Sequence, residues 1–109
     1  MMKAYKIAPN DILKLIPSMG GGICTDKITV DGLPIMYMYR DEPVNTKDSG
    51  WRFFSGTEDS DYMANAGFHS VYDLNTIANY EPAIIPFLNH PVGSEFERSD
   101  DKGKFIKIG

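Results

Sequence analysis

The chain has 109 residues, of which 42% are hydrophobic and 24% charged, with a formal net charge of −4 and one cysteine, Cys24. This length suits one domain with its own core, and a single cysteine excludes an intrachain disulfide. No stretch reaches the roughly 20 apolar residues of a membrane-spanning helix and no signal peptide is recognised, so we expect a cytoplasmic protein without a membrane partner.

Acidic residues are concentrated in the middle of the chain. Residues 41–101 hold 12 acids against Lys47, Arg52 and Arg98, a net charge of −9, whereas the two flanks hold 8 bases and 3 acids, a net charge of +5. Binding to DNA or RNA is disfavoured, because the phosphate backbone would meet mostly carboxylates. An acidic surface of this kind would instead attract and steer a basic protein partner.

The first predicted element is a short helix near the N-terminus. Pro9-Asn10-Asp11 offers an Asn or Asp cap ahead of the apolar residues between positions 12 and 16, which predicts a short helix that is ended by Pro17. This helix would belong to an N-terminal extension, residues 1–19. The glycine run Gly20-Gly21-Gly22 predicts a flexible connection after it.

Two strands are predicted next. Residues 23–30 alternate weakly between apolar and polar side chains and predict a strand, and Asp31-Gly32 predicts a hairpin turn after it. The unbroken apolar run at residues 35–39 predicts a central strand over residues 34–40, with both faces covered.

A polar loop at residues 41–49 leads into a third strand, predicted over residues 51–55. An acidic turn at residues 57–61 follows. The end of this turn offers a capping residue, which predicts a short helix as far as Ala66.

The last third of the chain combines a strand and a helix. Residues 68–72 are predicted to be extended, and Asp73 is a plausible cap for a helix over residues 74–80, whose apolar residues share one face. Phe96 is expected to anchor a later ordered stretch, and residues 105–108 predict a terminal strand or a loose tail. Together the elements predict an α+β fold: a small single domain, mainly an antiparallel sheet with two or three short helices packed on it.

Motifs for chemistry are not recognised in the sequence. The serines lie outside the nucleophile motif of hydrolases, and His69 and His90 do not form a zinc-binding pattern. Gly20-Gly21-Gly22 lacks the lysine of a phosphate-binding loop, which favours a hinge or a close-packing role for these glycines. Cys24 is expected to lie in the core. We therefore expect a binding protein rather than an enzyme, with no catalytic residue, cofactor or metal.

The most distinctive block runs from Asp48 to Gly56. In an extended strand Trp51 and Phe53 point to one side, and Arg52 points to the other. Phe53, in the middle of the strand, is expected in the core.

The roles of Arg52 and Trp51 stay open at this point. Arg52 either pairs with a carboxylate such as Asp48 or Asp73 or anchors an interface, where Trp and Arg are prominent. Trp51 belongs to the core, to a pocket or to an interface. The candidate partner-binding residues are Asp48, Trp51, Arg52, Glu58, Asp59 and Asp61.

A second interpretation is a sensor or accessory domain that binds a small ligand. Its pocket would be lined by aromatic side chains near Trp51, because such pockets combine rings with a few polar groups. The residues expected to line it are Trp51, Tyr37, Tyr39 and Tyr72.

Five blocks of the sequence are distinctive, namely Gly32-Leu33-Pro34, residues 37–43, residues 48–56, residues 72–80 and residues 91–98. Together they resemble the bacterial immunity protein 33 family, which is also described as a domain of unknown function. The resemblance covers roughly residues 20–98 and implies a protein that binds and neutralises a cognate secreted toxin, and it brings no catalytic residues with it. The acidic middle of the chain adds the expectation that this toxin has a basic surface.

Overall fold

The computed structural model describes residues 3–109, which form one six-stranded sheet with helices packed against it. The strand order is β4-β1-β3-β2-β5-β6, where β1 and β3 are parallel and the remaining neighbours are antiparallel. The predicted α+β fold with a mainly antiparallel sheet is confirmed. The strands are β1 (Gly21–Thr25), β2 (Tyr37–Arg40), β3 (Asp48–Phe54), β4 (His69–Asp73), β5 (Glu95–Glu97) and β6 (Ile106–Lys107).

All helices of the described chain are short. The α-helices are α1 (Asp26–Thr29), α2 (Ser60–Ala64) and α3 (Leu74–Tyr80), and 3₁₀ turns span Pro9–Asp11, Ala66–Phe68 and Pro82–Phe87. Within residues 3–109, no helix has the length and apolar character needed to cross a membrane.

Helix α3 forms where its sequence predicts it. The Asp73 carboxylate accepts a hydrogen bond of 2.9 Å from the backbone N–H of Asn75, which caps the first turn. Leu74, Ile77 and Ala78 are buried, so the helix places its apolar stripe against the sheet.

The core lies between one face of the sheet and the helices. Because alternate residues of a strand point to opposite sides, Met38, Trp51, Phe53 and Phe96 all face inward, and each is at most 1% exposed. Burial of each such side chain contributes about 1.5–3 kcal/mol. Helix α3 and the Pro82–Phe87 turn cover this face, mainly through Leu74, Ile77, Ile84 and Leu88.

The glycine run is strand rather than a flexible connection. Gly21 and Gly22 begin β1, which is held between β3 and β4. A Cβ on Gly22 would lie 3.0 Å from the Trp51 carbonyl oxygen, so this position is packed too closely for a side chain. The prediction of a loose connection was wrong because close packing also selects glycine.

The strand predicted over residues 23–30 ends early. Strand β1 stops at Thr25, and α1 follows immediately. Asp31-Gly32 is not a hairpin turn: the Gly32 N–H donates to the Ile28 carbonyl and closes the end of α1, where a glycine with positive φ is favoured.

The predicted N-terminal helix is reduced to the turn Pro9–Asp11. Residues 12–16 instead lie along α3, where Asn75 and Asn79 satisfy their backbone groups. The Asn75 side chain accepts from the N–H groups of Leu15 and Ile16 and donates to the Leu13 carbonyl. This tertiary contact outcompetes a helix too short to persist alone.

Strand β2 is central but is covered on one face. Met38 is buried, whereas Tyr37 and Tyr39 on either side of it are half-buried. The prediction that both faces are covered was wrong, because the helices of the described chain leave the Tyr37 side of the sheet open. The buried Ile35 lies outside the strand.

Candidate functional site: the uncovered face of the sheet

The face of the sheet opposite the core presents a mixture of aromatic, aliphatic and acidic side chains. The register of the strands places alternate residues on it, and Val71 on the edge strand β4 is 69% exposed. We call this surface the uncovered face. Its side chains come from Ile23, Tyr37, Tyr39, Arg52, Phe54, Val71, Glu95 and Glu97.

Three rings form an aromatic patch on the uncovered face. Tyr37 lies directly opposite Phe54 in the β2–β3 pairing, and Tyr39 follows two residues later on the same side. The ring centroids are 5.7 Å apart for Tyr37 and Phe54, 5.8 Å for Tyr39 and Phe54, and 5.9 Å for the two tyrosines. These are favourable aromatic distances, so the patch is packed within itself although it lacks a covering layer.

The hydroxyl of Tyr37 is directed at an acid on the neighbouring strand. It donates a hydrogen bond to the Glu95 carboxylate. Burial, and then this carboxylate, raise the pKa of Tyr37 above its ordinary value. Tyr37 therefore stays a protonated donor at neutral pH.

Glu58 stands beside the aromatic patch and is held by the turn that follows β3. Its carboxylate accepts from the Thr25 hydroxyl at 2.5 Å and from the N–H groups of Ser55 and Gly56 at 2.9 Å each. Burial would raise the pKa of Glu58, but the hydrogen bonds from Thr25 and Ser55 outweigh it, and the pKa lies below its ordinary value. Glu58 is therefore an ionised carboxylate.

The aromatic patch and Glu58 enclose a hollow of about 240 Å³, which we call the aromatic hollow. Two tyrosines and one phenylalanine form one wall, and the turn after β3 with the side chain of Met63 forms the other. Its lining residues are Tyr37, Tyr39, Phe54, Gly56, Glu58 and Met63.

Arg52 and Asp48 form a buried ion pair on the same face. The guanidinium makes two parallel hydrogen bonds of 2.9 Å to the two carboxylate oxygens, and the side chains are 8% and 9% exposed. The Arg52 guanidinium, together with the N–H groups of Val44 and Gly50, holds the pKa of Asp48 well below its usual range. The predicted pairing is confirmed with Asp48, and the alternative partner Asp73 is not used.

This ion pair borders a second and larger hollow of about 450 Å³. Ile23 and Val71 form its apolar floor, and the loop at residues 44–47 forms its wall. Lys47 brings a positive charge to this hollow, so its character differs from that of the acidic aromatic hollow.

Trp51 lies in the core and has no exposed surface with which to contact a partner. Its ring packs against Phe53 and Phe96, with centroids 6.2 and 6.3 Å away, and its indole N–H donates to the Leu88 carbonyl at 3.1 Å. The sequence left the role of Trp51 open, because a tryptophan in the core and a tryptophan at an interface can occur in the same local sequence.

The ligand pocket expected beside Trp51 is not formed. Tyr37 and Tyr39 lie on the uncovered face, on the opposite side of the sheet from Trp51. Tyr72 lies on the covered side, where its ring meets Tyr5 edge-on at 5.8 Å. The four aromatic residues therefore do not converge, and the predicted lining of this pocket was wrong because a strand sends neighbouring residues to opposite sides.

The three other acidic candidates lie close together after β3. Glu58 faces the aromatic hollow, whereas Asp59 and Asp61 are exposed. Asp59 caps α2 by accepting from the Tyr62 N–H at 2.7 Å. Asp61 lies in the first turn of α2, where a negative charge favours the helix.

The sequence analysis named Tyr37 and Tyr39 only as the lining of a pocket beside Trp51, and it missed Phe54 and Glu95, which lie with them on the uncovered face. A usable signal existed, because Tyr37 and Tyr39 flank the core residue Met38 with the period of a strand. That pattern predicts tyrosines on the side opposite the core.

Nucleophilic and metal chemistry find little support in the described residues. Cys24 has no exposed surface, and burial raises the pKa of its thiol far above neutral pH. Within residues 3–109, no three His, Cys, Asp or Glu side chains are grouped as a metal ion requires.

Among known protein families, the model of a family described as Immunity protein Imm33 domain matches residues 22–109. The matched range begins close to residue 20, where the resemblance seen in the sequence begins, and it extends past residue 98 to the last residue, Gly109. No curated protein and no solved structure matches the chain.

Proposed function

Because the chain belongs to the Immunity protein Imm33 domain family, we propose that it binds a cognate protein toxin and neutralises it by direct contact through the uncovered face. The family itself implies an immunity role and a toxin partner. Beyond the role of the family, we propose the surface that makes the contact, a partner with a basic surface, and the cytoplasm as the compartment in which the two proteins meet.

The aromatic patch is the observation that carries this proposal. An antiparallel sheet can leave one face to solvent, but such a face normally carries polar side chains. Here Tyr37, Tyr39 and Phe54 occupy its middle. Aromatic residues are enriched at the centres of protein interfaces, so this face has the composition of a contact surface.

Acidic side chains around the patch support a basic partner. Glu58, Glu95 and Glu97 lie at its border, and Asp59 and Asp61 extend the acidic border onto α2. A stable interface of standard size buries about 800 Å² on each partner. Such an area would extend from the aromatic patch over both hollows, and opposite charges would steer the encounter.

Neutralisation by contact predicts a stoichiometric effect. When increasing amounts of the protein are added to the purified toxin encoded by the neighbouring gene, the remaining toxin activity should fall linearly and vanish near one equivalent. Inactivation by amounts far below one equivalent would show an enzyme instead. The two proteins should also elute together in size-exclusion chromatography.

A variant pair tests the surface. Phe54→Ala removes the ring that contacts both tyrosines, and cells that produce the toxin with this variant should lose most of their protection. Asn89→Ala is the control, because Asn89 is exposed at the end of the Pro82–Phe87 turn on the covered side. Full protection by folded Phe54→Ala would exclude the aromatic patch, and no protection by the wild type would exclude this toxin as the partner.

A further inference from the structure

The aromatic hollow is lined by aromatic rings and by one ionised carboxylate, that of Glu58. A carboxylate offers about four acceptor sites, and the turn fills at least three of those of Glu58, with bonds from Thr25, Ser55 and Gly56. Two of those bonds go to Oε2 and one to Oε1, so Oε1 is the less occupied oxygen. The turn thus holds the carboxylate rigidly, with Oε1 as the oxygen that would accept from a partner.

The charge of Glu58 is also unpaired within the described chain. The ion pairs of residues 3–109 join Lys3 to Asp26, Arg52 to Asp48 and Arg98 to Glu81, and none includes Glu58. The lining of the aromatic hollow contains no lysine, arginine or histidine. A half-buried anion without a cation favours a positive group from outside, because bulk water screens it only partly.

The rings favour the same kind of group. A cation over the face of a tyrosine or phenylalanine is attracted by the ring electrons, more strongly where water is partly excluded. Tyr39 and Phe54 lie nearly parallel, with an interplanar angle of 9° and ring centroids 5.8 Å apart, and both line the hollow. A planar guanidinium packs on the exposed ring face of such a pair better than a compact ammonium does.

The volume of the hollow selects a side chain rather than a free metabolite. Pockets for small molecules measure about 300–1,000 Å³, and this hollow measures about 240 Å³. It is open at the surface between β2 and the turn after β3, where a side chain projecting from a protein can enter.

We propose that the aromatic hollow is the receptor for an arginine side chain of the partner, stacked on Tyr39 and Phe54 and hydrogen-bonded to Glu58. The inference rests on the proposed toxin-binding function and specifies its chemistry. The partner would then be recognised by the insertion of one guanidinium, in addition to the general attraction between its basic surface and the acidic side chains of this protein.

A titration without toxin tests the hollow. The ¹⁵N-labelled full chain is titrated with Nα-acetyl-arginine methylamide and, separately, with the citrulline analogue, which has nearly the same shape and no charge. The amide signals of residues 54–58 and Tyr39 should shift with the arginine probe and saturate. The citrulline probe should bind at least about fivefold more weakly, which corresponds to a cation–π contribution of about 1 kcal/mol.

Two tyrosine variants separate the hollow from nonspecific binding. Tyr39→Leu should lose most of the arginine-induced shifts, whereas Tyr5→Leu, which removes a half-exposed tyrosine on the covered side, should keep them. Equal shifts with both probes, shifts centred on Asp48, or unchanged binding by Tyr39→Leu would overturn the assignment.

The titration and the toxin assay fail independently. Absence of arginine binding together with stoichiometric toxin neutralisation would reject the hollow and retain the proposed function. Arginine binding without neutralisation of the neighbouring toxin would keep the receptor site and reject that toxin as its source.

Discussion

At the scale of single residues, a substitution of Phe53 tests whether this side chain is part of the core. It lies in the middle of β3 and has no exposed surface. Phe53→Ala should lower the free energy of unfolding by about 3–5 kcal/mol, because it removes buried apolar surface and leaves a cavity. Urea unfolding followed by circular dichroism measures this loss. Val71→Ala, at a position that is 69% exposed, should change stability by no more than about 0.5 kcal/mol.

The Asp48–Arg52 pair gives a prediction about acid stability. The pKa of Asp48 is lowered in the folded chain from an ordinary value of about 3.9. The ionised Asp48 carboxylate therefore makes its full contribution to the free energy of unfolding above about pH 4. This contribution is lost as the pH falls toward the lowered pKa of the folded state. Asp48→Asn should cost about 3–5 kcal/mol at neutral pH, because it leaves a buried guanidinium without its anion.

The pH dependence of this cost is the decisive measurement. Urea unfolding of the wild type and Asp48→Asn should show a gap that is constant at neutral pH and narrows below about pH 4. A gap that keeps its full size down to about pH 2 would show that the charge of Asp48 contributes nothing to stability.

At the scale of secondary-structure elements, Gly50 controls how β3 begins. It has a φ of +92°, and a Cβ there would lie 2.1 Å from the Asp41 carbonyl oxygen. The Asp41 N–H in turn donates to the Gly50 carbonyl. A side chain would therefore meet two costs, an unfavourable backbone conformation and a collision with the neighbouring backbone.

Gly93 separates these two costs, since its φ is +95° and a Cβ there would have no atom within 4 Å. Gly93→Ala should cost about 1–2 kcal/mol from conformation alone. Gly50→Ala should cost about 1–3 kcal/mol more, the range for overpacking. Thermal unfolding of both variants measures the difference in stability. Equal melting temperatures would show that a Cβ at position 50 does not collide with the Asp41 carbonyl.

Elements whose signals are local could be predicted from the sequence. Helix α3 needs only a cap at Asp73 and three apolar residues on one side, and both lie within eight positions of the chain. Strand β3 was predicted over residues 51–55 and spans Asp48–Phe54, so its existence and its core residue Phe53 were correctly predicted, whereas its start was placed three residues too late. These signals are carried by neighbouring residues, so no distant contact decides them.

Elements that depend on distant partners were misjudged. Strand β1 begins at glycines that gave a loop signal, because its stability comes from pairing with β3 and β4 rather than from its own residues. The extended course of residues 12–16 depends on Asn75 and Asn79, about 60 positions later. The aromatic patch was missed for a related reason, since the sequence does not state which face of a sheet the helices cover.

At the scale of the whole molecule, the two faces of the sheet have different tasks. The covered face holds the core and the helices, and the N-terminal segment is fastened to α3 on that side by Asn75 and Asn79. The uncovered face concentrates the aromatic patch and the acids that border it. Stability and recognition are therefore divided between the two sides of the same strands, because alternate residues of each strand serve different surfaces.

A pair of charge reversals tests whether this division extends to electrostatics. Glu97→Lys lies on the uncovered face, and Asp11→Lys lies in the Pro9–Asp11 turn beside α3 on the covered side. Each changes the net charge from −4 to −2, so a difference between them reports position rather than total charge. Glu97→Lys should slow association with a basic toxin roughly several-fold, and Asp11→Lys much less, since a charge at the border of an interface acts mainly on the association rate.

Salt provides the internal control for this comparison. At about 0.1 M salt a charge acts over roughly 10 Å, and at about 1 M over roughly 3 Å. The difference between the two association rates, measured by stopped-flow fluorescence, should therefore shrink at high salt while the dissociation rates stay similar. If both reversals slow association equally, the net charge of the molecule guides the toxin, and the uncovered face has no special part in the encounter.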